Sequence, residues 1–206
     1  GVMYRAITWA ALSRNVAIAD EAAVSAVAVQ VDIDLAAPHT DQDDGRHCTV
    51  LLDGFDITWK IRKPEVDRLV SAVSAIPAVR AALTVQQRRI ALRYGGGDAD
   101  RPGVVMVGRD IGTVVVPDAP IKIFMDASAE ERANRRFREL VGRGKEAEYA
   151  TVLADIKRRD AIDSQRDVAP LRAAEDAVVV DTTMLAPEEV VARVVELIGE
   201  RVTGDR

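Results

Sequence analysis

Short apolar runs that alternate with helix-length segments are the main feature of the second half of the chain. The runs of strand length are Val104 to Val107, Ile121 to Met125 and Ala177 to Val180. The helical patterns lie near 129–143, near 147–162 and from Pro187 onward. Continuous apolar strands suit a parallel sheet whose two faces are both covered. The second half therefore predicts an α/β architecture.

The first half of the chain has a different periodicity. Residues 3–14 and 20–30 follow a helical pattern, whereas 31–35 alternates between apolar and polar side chains. The β-rich run 48–52 is followed by Asp53-Gly54, a dipeptide typical of a tight hairpin turn. A small antiparallel sheet is therefore expected after the first two helices.

Two prolines divide the segment that follows this sheet. After Pro64 the pattern predicts helices over about 65–75 and 78–93, with Pro77 separating them. The glycine-rich stretch from Tyr94 to Gly103 is expected to be a linker. It is not a phosphate-binding loop, because it follows a helix and no Gly-Lys-Ser/Thr closes it. Residues 31–93 are thus expected to form a unit inserted between segments of different character.

Composition narrows the class of protein. The 206 residues are 48% apolar and carry a formal charge of −5, which excludes a disordered chain and allows a sizeable core. No stretch approaches the roughly 18 to 20 uninterrupted apolar residues of a membrane span. One cysteine and two histidines can form neither an intramolecular disulfide nor a Cys/His zinc site. A soluble cytoplasmic protein is therefore expected.

Basic residues are concentrated in one segment of this acidic chain. Between Glu130 and Arg172 there are eleven basic and nine acidic residues. Nucleic-acid binding usually accompanies a basic domain and often aromatic platforms, whereas aromatic residues make up only 4% of this chain. The segment favours a local anion site, and a solvated helix face with mixed charges is the alternative.

The group Gly108-Arg109-Asp110-Ile111-Gly112-Thr113 directly follows an apolar run. In open α/β sheets, ligands bind beyond the carboxyl ends of the strands. A guanidinium group placed there can hold a phosphate through two parallel hydrogen bonds. The alternative is a glycine-rich turn with an arginine–aspartate ion pair, and the spacing alone leaves both open.

A second pattern joins Arg159, Asp163 and Arg166. If a helix continues through them, positions i, i+4 and i+7 lie on one face, with the carboxylate between two guanidinium groups. The residues could then form a surface salt-bridge ladder, which adds little stability. They could instead present an ionised carboxylate to ribose hydroxyls and arginines to phosphates.

Several motifs in register carry a family resemblance. They are Gly1-Val2-Met3-Tyr4-Arg5, the run Ala78 to Leu83, Gly108 to Val115 with Pro117 to Pro120, and the segment from Arg159 to Leu171. Together they resemble bacterial cytidylate kinase across essentially the whole chain. The resemblance implies the P-loop-containing nucleoside monophosphate kinase fold, α/β with a parallel sheet core, an inserted antiparallel monophosphate-binding subdomain and a helical lid.

The resemblance also implies an activity, its cofactor and its site residues. Members of the family transfer the terminal phosphoryl group of ATP to CMP or dCMP with Mg²⁺. By motif position, Arg5, Arg109 and Arg166 match the arginines on the CMP phosphate. Ser71, Arg80 and Asp110 match the side chains that read the cytosine edge, and Arg159 and Asp163 match those on the ribose. Arg135 and Arg136 match the lid arginines, which with Arg109 are the expected catalytic residues.

The same resemblance divides the chain and defines its partners. It assigns residues 1–30 to the core, 31–93 to the monophosphate-binding insert and 94–206 to the core, with the lid at about 130–160. The expected partners are the small molecules CMP or dCMP and ATP. A monomer without nucleic-acid or membrane partners is expected.

Two departures from the family pattern are visible. Val107 stands where the family commonly has an acidic residue, so a role of that carboxylate near Mg²⁺ is unfilled or moved. No Gly-x-x-x-x-Gly-Lys-Ser/Thr sequence occurs in the 206 residues, so the N-terminal P-loop segment is expected to be missing and the sheet core truncated there.

The alternatives to a CMP kinase are a catalytically inactive CMP-binding relative and a kinase for another monophosphate. The base-contact residues Ser71, Arg80 and Asp110 argue against the second of these.

Overall fold

The structure, a computed structural model, describes residues 1–38, 44–95, 103–164 and 171–204. Within the helices, only the backbone is described at 159, 162, 163 and 202–204. The chain divides into two compact units, Gly1–Gly108 and Arg109–Arg206.

Within its described residues, the first unit combines four α-helices with a three-stranded sheet. The helices are α1 (Val2–Ser13), α2 (Glu21–Gln30), α3 (Pro64–Ala75) and α4 (Pro77–Gly95), and one 3₁₀ turn spans Lys60–Arg62. The strands are β1 (Ile33–Ala36), β2 (Thr49–Leu52) and β3 (Phe55–Asp56). The helices and strands predicted over residues 3–93 are thus confirmed, apart from shifts of one or two residues at their ends.

Proline fixes the boundary between α3 and α4. The residue before a proline avoids the helical region, and Ile76 is accordingly extended, with φ −69° and ψ 117°. The axes of α3 and α4 therefore bend by 96° at this point. In the described part of the chain, no single helix is long and apolar enough to span a membrane. Together, α3 and α4 reach the length and apolar composition of a span, but they are bent at Ile76.

The small sheet is antiparallel, with Ile33 opposite Leu52 and Leu52 opposite Phe55. Between β2 and β3, Asp53 and Gly54 both have positive φ, at 50° and 80°. Positive φ at both central residues matches the right-handed twist of the two strands. The predicted hairpin is confirmed.

Replacing Gly54 by alanine is expected to destabilise the protein by about 1–2 kcal/mol, because a Cβ makes the left-handed backbone conformation costly. The midpoint of urea unfolding, followed by circular dichroism, measures this loss. Gly54→Asn is the matched control, because asparagine tolerates positive φ far better than alanine. Equal losses for the two variants would contradict the backbone explanation.

Arg46, shortly before β2, pairs with two aspartates. The Arg46 side chain is 7% exposed and forms ion pairs of 2.6 Å with Asp44 and with Asp56. The Trp59 indole Nε1–H also donates to Asp44 at 2.8 Å. The hydrogen bonds from Arg46 and Trp59 hold the pKa of the Asp44 carboxyl well below its usual range.

The apolar core of the first unit lies where α1 packs on α3, with α2 packed on α4. On α1, Ala6, Ile7, Ala10 and Ala11 are fully buried, which is the i, i+1, i+4, i+5 stripe of an amphipathic helix. Fully buried residues elsewhere in the first unit include Ile33, Ile57, Ile61, Val73, Val79 and Leu83. This packing fixes the position of α1 against α3.

In the part of the second unit that the structure describes, there are a parallel pair of strands and three α-helices. The strands are β4 (Ile123–Asp126) and β5 (Val178–Asp181), with Ile123 opposite Val178. The helices are α5 (Ala129–Gly142), α6 (Tyr149–Ser164) and α7 (Pro187–Gly204), and a π-helical turn spans Ile111–Val115. The predicted parallel pairing of the last two apolar runs is confirmed.

The strand predicted at Val104 to Val107 is wrong. These residues have no strand partner in the described residues, and Val105 and Val107 are 85% and 81% exposed. An apolar run becomes a strand only where a neighbour completes its hydrogen bonds. The expected linker from Tyr94 to Gly103 begins inside α4, and its residues 96–102 lie outside the described ranges.

Candidate active site

A polar stripe runs along one side of α3. Asp67, Ser71 and Ser74 occupy positions i, i+4 and i+7 and so share one face of the helix. Asp67 and Ser71 are exposed, whereas Val66 and Val73 are buried against the core. We call these three residues the α3 stripe. It is the element around which the predicted site residues of the first unit gather.

Arg5 reaches the N-terminal end of the α3 stripe from α1. Its Nη1 donates to the Ile61 carbonyl at 3.2 Å and forms an ion pair with Asp67. The Arg5 side chain is 33% exposed, so solvent and small anions have access to it. The guanidinium group is thus held in place while part of it faces outward.

Arg80 reaches the other end of the α3 stripe from the first turns of α4. It is 8% exposed, its Nη1 donates to the Ser74 carbonyl at 3.4 Å, and its guanidinium carbon lies 5.8 Å from the centre of the Tyr4 ring. A cation over an aromatic face is stabilised by the ring quadrupole. Arg5, Ser71 and Arg80, which the sequence selects from separate segments, therefore lie around one helix face.

Two residues of this arrangement were missed by the sequence reasoning. Asp67 pairs with Arg5, and Tyr4 lies beneath Arg80. Helical spacing back from Ser71 would have found Asp67, because it lies one turn earlier on the same face. The contact between Tyr4 and Arg80 depends on how α1 and α4 each pack against α3, which has no local sequence signal.

In the second unit, hydrogen bonds join the carboxyl ends of β4 and β5. The Thr182 backbone N–H and its Oγ1 both donate to the Asp126 carbonyl, at 2.7 and 2.9 Å. Arg135 joins this edge from α5, because its Nη2 donates to the Thr182 carbonyl at 2.5 Å. An arginine thus lies beyond the carboxyl ends of parallel strands, where α/β sheets bind ligands.

Each of the two predicted lid arginines has a partly exposed side chain that pairs with a glutamate of the same helix. Arg135 bonds to Glu131 at 2.9 Å and Arg136 to Glu139 at 2.7 Å, and their side chains are 41% and 50% exposed. These hydrogen bonds lower the pKa of Glu131 and of Glu139, so both carboxylates are ionised at neutral pH. Among the described contacts, Arg135 donates a hydrogen bond to a backbone carbonyl, whereas Arg136 bonds to the Glu139 side chain.

The Gly108 to Thr113 group forms a bend and the start of the π-helical turn. Arg109 is exposed, and the Asp110 carbonyl accepts the N–H groups of Val114 and Val115. Gly112 packs on the stem of Lys122, and a Cβ at position 112 would lie 3.3 Å from the Lys122 Cδ. Close packing therefore explains the second glycine of the group.

The structure describes the remaining predicted site residues only in part. Arg159 and Asp163 lie on α6, for whose positions 159 and 163 the backbone alone is described. Arg166 lies outside the described residues. The predicted face shared by Arg159, Asp163 and Arg166 therefore stays a prediction.

Comparison with known proteins gives the family. A family model for cytidylate kinase matches residues 1–200. The chain belongs to the cytidylate kinase family. The resemblance carried by the arginine and glycine motifs is thus confirmed over essentially the whole chain.

Several curated cytidylate kinases are similar to this member of the family. The protein of Caldanaerobacter subterraneus subsp. tengcongensis is 46% identical over 205 residues, which cover 100% of this chain and 84% of the relative. Those of Carboxydothermus hydrogenoformans and Rhodococcus jostii are each 45% identical over 98% of this chain and 84% and 82% of the relatives. Such identity across the full chain makes this protein an enzyme of the cytidylate kinase family.

Family membership implies the P-loop nucleoside monophosphate kinase fold. The parallel strands β4 and β5 and the antiparallel sheet of the first unit agree with its α/β class. The expectation that this cytidylate kinase family member lacks the P-loop segment, with a truncated sheet core, gains no support from the comparisons. The inactive alternative gains none either.

Proposed function

We propose that the protein transfers the terminal phosphoryl group of ATP to CMP or dCMP. A phosphate oxygen of the monophosphate forms a bond to the γ-phosphorus, the bond to the β,γ-bridging oxygen breaks, and ADP leaves with CDP or dCDP as the second product. The observation that carries this proposal is the 46% identity to a cytidylate kinase over the whole of this chain.

The arrangement around the α3 stripe supports a binding role for the first unit. Arg5 provides a positioned cation for the CMP phosphate, while Ser71 and Arg80 provide a hydroxyl and a guanidinium group for the cytosine edge. Buried polar groups discriminate well, because a base that fails to bond to them leaves them unpaired. Arg80, at 8% exposed, is suited to this selection.

In the second unit we assign Arg109 and Arg166 to the CMP phosphate, Asp110 to the cytosine edge, and Arg159 and Asp163 to the ribose. Arg135 and Arg136 stabilise the charge on the transferring group. Phosphoryl transfer needs little covalent help and is accelerated mainly by positioning and charge stabilisation. The location of Arg135 at the carboxyl ends of β4 and β5 supports this assignment.

Mg²⁺ enters this proposal together with ATP. Within the described residues, no group of three or more His, Cys, Asp and Glu side chains could hold a metal ion. Mg²⁺ in kinases is commonly bound by substrate phosphates, one or two carboxylates and water. Mg²⁺ bound in this way would need few protein ligands and would neutralise negative charge on the phosphates of ATP.

The remaining assignments stay predictions. They are the division into core (1–30), insert (31–93) and core with lid (94–206), and a cytoplasmic monomer without nucleic-acid or membrane partners. The two compact units, 1–108 and 109–206, are defined by their internal packing. They therefore do not test the division into core, insert and lid, which is defined by function.

The test is a coupled assay of ADP formation by the full-length protein with ATP, Mg²⁺ and each of CMP, dCMP, UMP, AMP and GMP. We expect turnover with CMP and dCMP at least about tenfold more efficient than with the other three, because unpaired buried polar groups penalise the wrong base. Binding of CMP without turnover would favour the inactive relative. Faster turnover with AMP, GMP or UMP would favour a kinase for another monophosphate.

A further inference from the structure

Arg132 forms three hydrogen bonds that link α6 to the end of β4. Its Nε donates to the carbonyl of Ala127, the residue that directly follows β4, at 3.0 Å. Its Nη1 and Nη2 donate to the two carboxylate oxygens of Asp160, at 2.8 and 2.7 Å. One guanidinium group therefore bonds simultaneously to the strand end and to the second-to-last turn of α6.

The Arg132–Asp160 pair differs from a second ion pair between these helices, Glu130–Lys157. Its side chains are 38% and 30% exposed, and its two parallel bonds fix both distance and orientation. The bonds to Asp160 raise the pKa of Arg132 above its usual range. Glu130 and Lys157, in contrast, make a single 2.8 Å contact with side chains 58% and 56% exposed.

Asp160 lies on α6 within one turn of both residues assigned to the ribose. It directly follows Arg159 and comes three residues before Asp163, the two residues assigned to the ribose. A helix transmits a constraint at one residue to its neighbours within a turn, because backbone hydrogen bonds fix their relative height and rotation. Holding Asp160 therefore holds the backbone at positions 159 and 163.

We propose that Arg132 and Asp160 are positioning residues that hold the ribose-binding end of α6 at the carboxyl end of β4. This inference rests on the proposed function. The pair acts through Arg159 and Asp163 and does not itself bind the substrate. Arg135 is tied separately to Thr182, so α5 keeps its own position when the pair is broken.

The test is Asp160→Asn in the full-length enzyme. We expect KM for CMP to rise about tenfold or more, because small displacements of positioning groups are costly. KM for ATP is expected to stay within about twofold, since the variant removes no group that binds the donor. The loss in kcat/KM is expected to be larger for CMP than for dCMP, because dCMP lacks one ribose hydroxyl.

Two further variants separate positioning from general stability. Glu130→Gln breaks the exposed pair between the same two helices and is expected to leave all kinetic constants unchanged. Arg132→Lys retains the positive charge but not the two parallel hydrogen bonds of the guanidinium group. We therefore expect its KM for CMP to lie between those of the unchanged enzyme and Asp160→Asn. The double variant Arg132→Lys with Asp160→Asn should be no worse than Asp160→Asn, because residues that act as a pair are not additive.

The outcomes distinguish this inference from the proposed function. Normal CMP turnover by the unchanged enzyme together with unchanged constants in Asp160→Asn would overturn the inference alone. Equal losses for CMP and dCMP, or equal losses in Asp160→Asn and Glu130→Gln, would also overturn it. Absence of turnover with CMP in the unchanged enzyme would overturn the proposed function and this inference with it.

Discussion

Arg136→Ala is expected to lower kcat by about 10²–10³-fold while KM for CMP changes little, because the variant removes one donor to the transition-state charge. Arg136 lies on α5 with a half-exposed side chain whose described contact is Glu139. It can leave that carboxylate for a more highly charged phosphoryl group, because surface ion pairs are weak. Steady-state kinetics with CMP and ATP measure the effect.

Arg143→Ala is the matched control for this variant. Arg143 pairs with the same Glu139, at 2.9 Å, and is 62% exposed. It has no assigned role, so its loss is expected to change kcat by less than about twofold. Equal losses of kcat for the two variants would remove Arg136 from the catalytic residues.

The second large effect is expected from Arg5→Ala. We expect KM for CMP to rise about 10- to 100-fold, the equivalent of losing hydrogen bonds between charged groups. KM for ATP should stay within about twofold, because Arg5 is assigned to the monophosphate only. Because Asp67, its present partner, is 51% exposed, the loss of the ion pair leaves no buried charge behind.

Arg14→Ala, at the opposite end of the same helix, is the corresponding control. Arg14 follows α1 and contacts Asp53 at 3.4 Å, with 39% of its side chain exposed. Its removal should leave both KM values unchanged. Arg5→Lys should recover part of the affinity for CMP, because lysine keeps the charge without the forked geometry. If Arg5→Ala bound CMP normally, Arg5 would have no place in the site.

The sequence predicted those parts of the fold that depend on local signals. The Asp53-Gly54 turn, the proline-started helices α3 and α4, and the strands β4 and β5 all follow from residues close together in the chain. The resemblance to cytidylate kinase came from short motifs in register, and it was the correct family.

Contacts between segments that are distant in the sequence could not be predicted from local patterns of residues. Val104 to Val107 has the composition of a strand, but no neighbouring strand is present in the described residues. Arg132 and Asp160 lie 28 residues apart, and nothing in either helix pattern indicates that they meet. Likewise, the approach of Arg80 to Tyr4 depends on the packing of whole helices.

The two tryptophans have a spectroscopic consequence. Trp9 and Trp59 are the only tryptophans in the sequence, and both belong to the first unit. Lys60 lies 5.1 Å from the centre of the Trp9 ring, and the Trp59 indole bonds to Asp44. Intrinsic tryptophan fluorescence therefore reports the unfolding of residues 1–108 alone. Helical ellipticity also includes α5, α6 and α7, so non-coincident transitions from the two signals would reveal independent melting of the units.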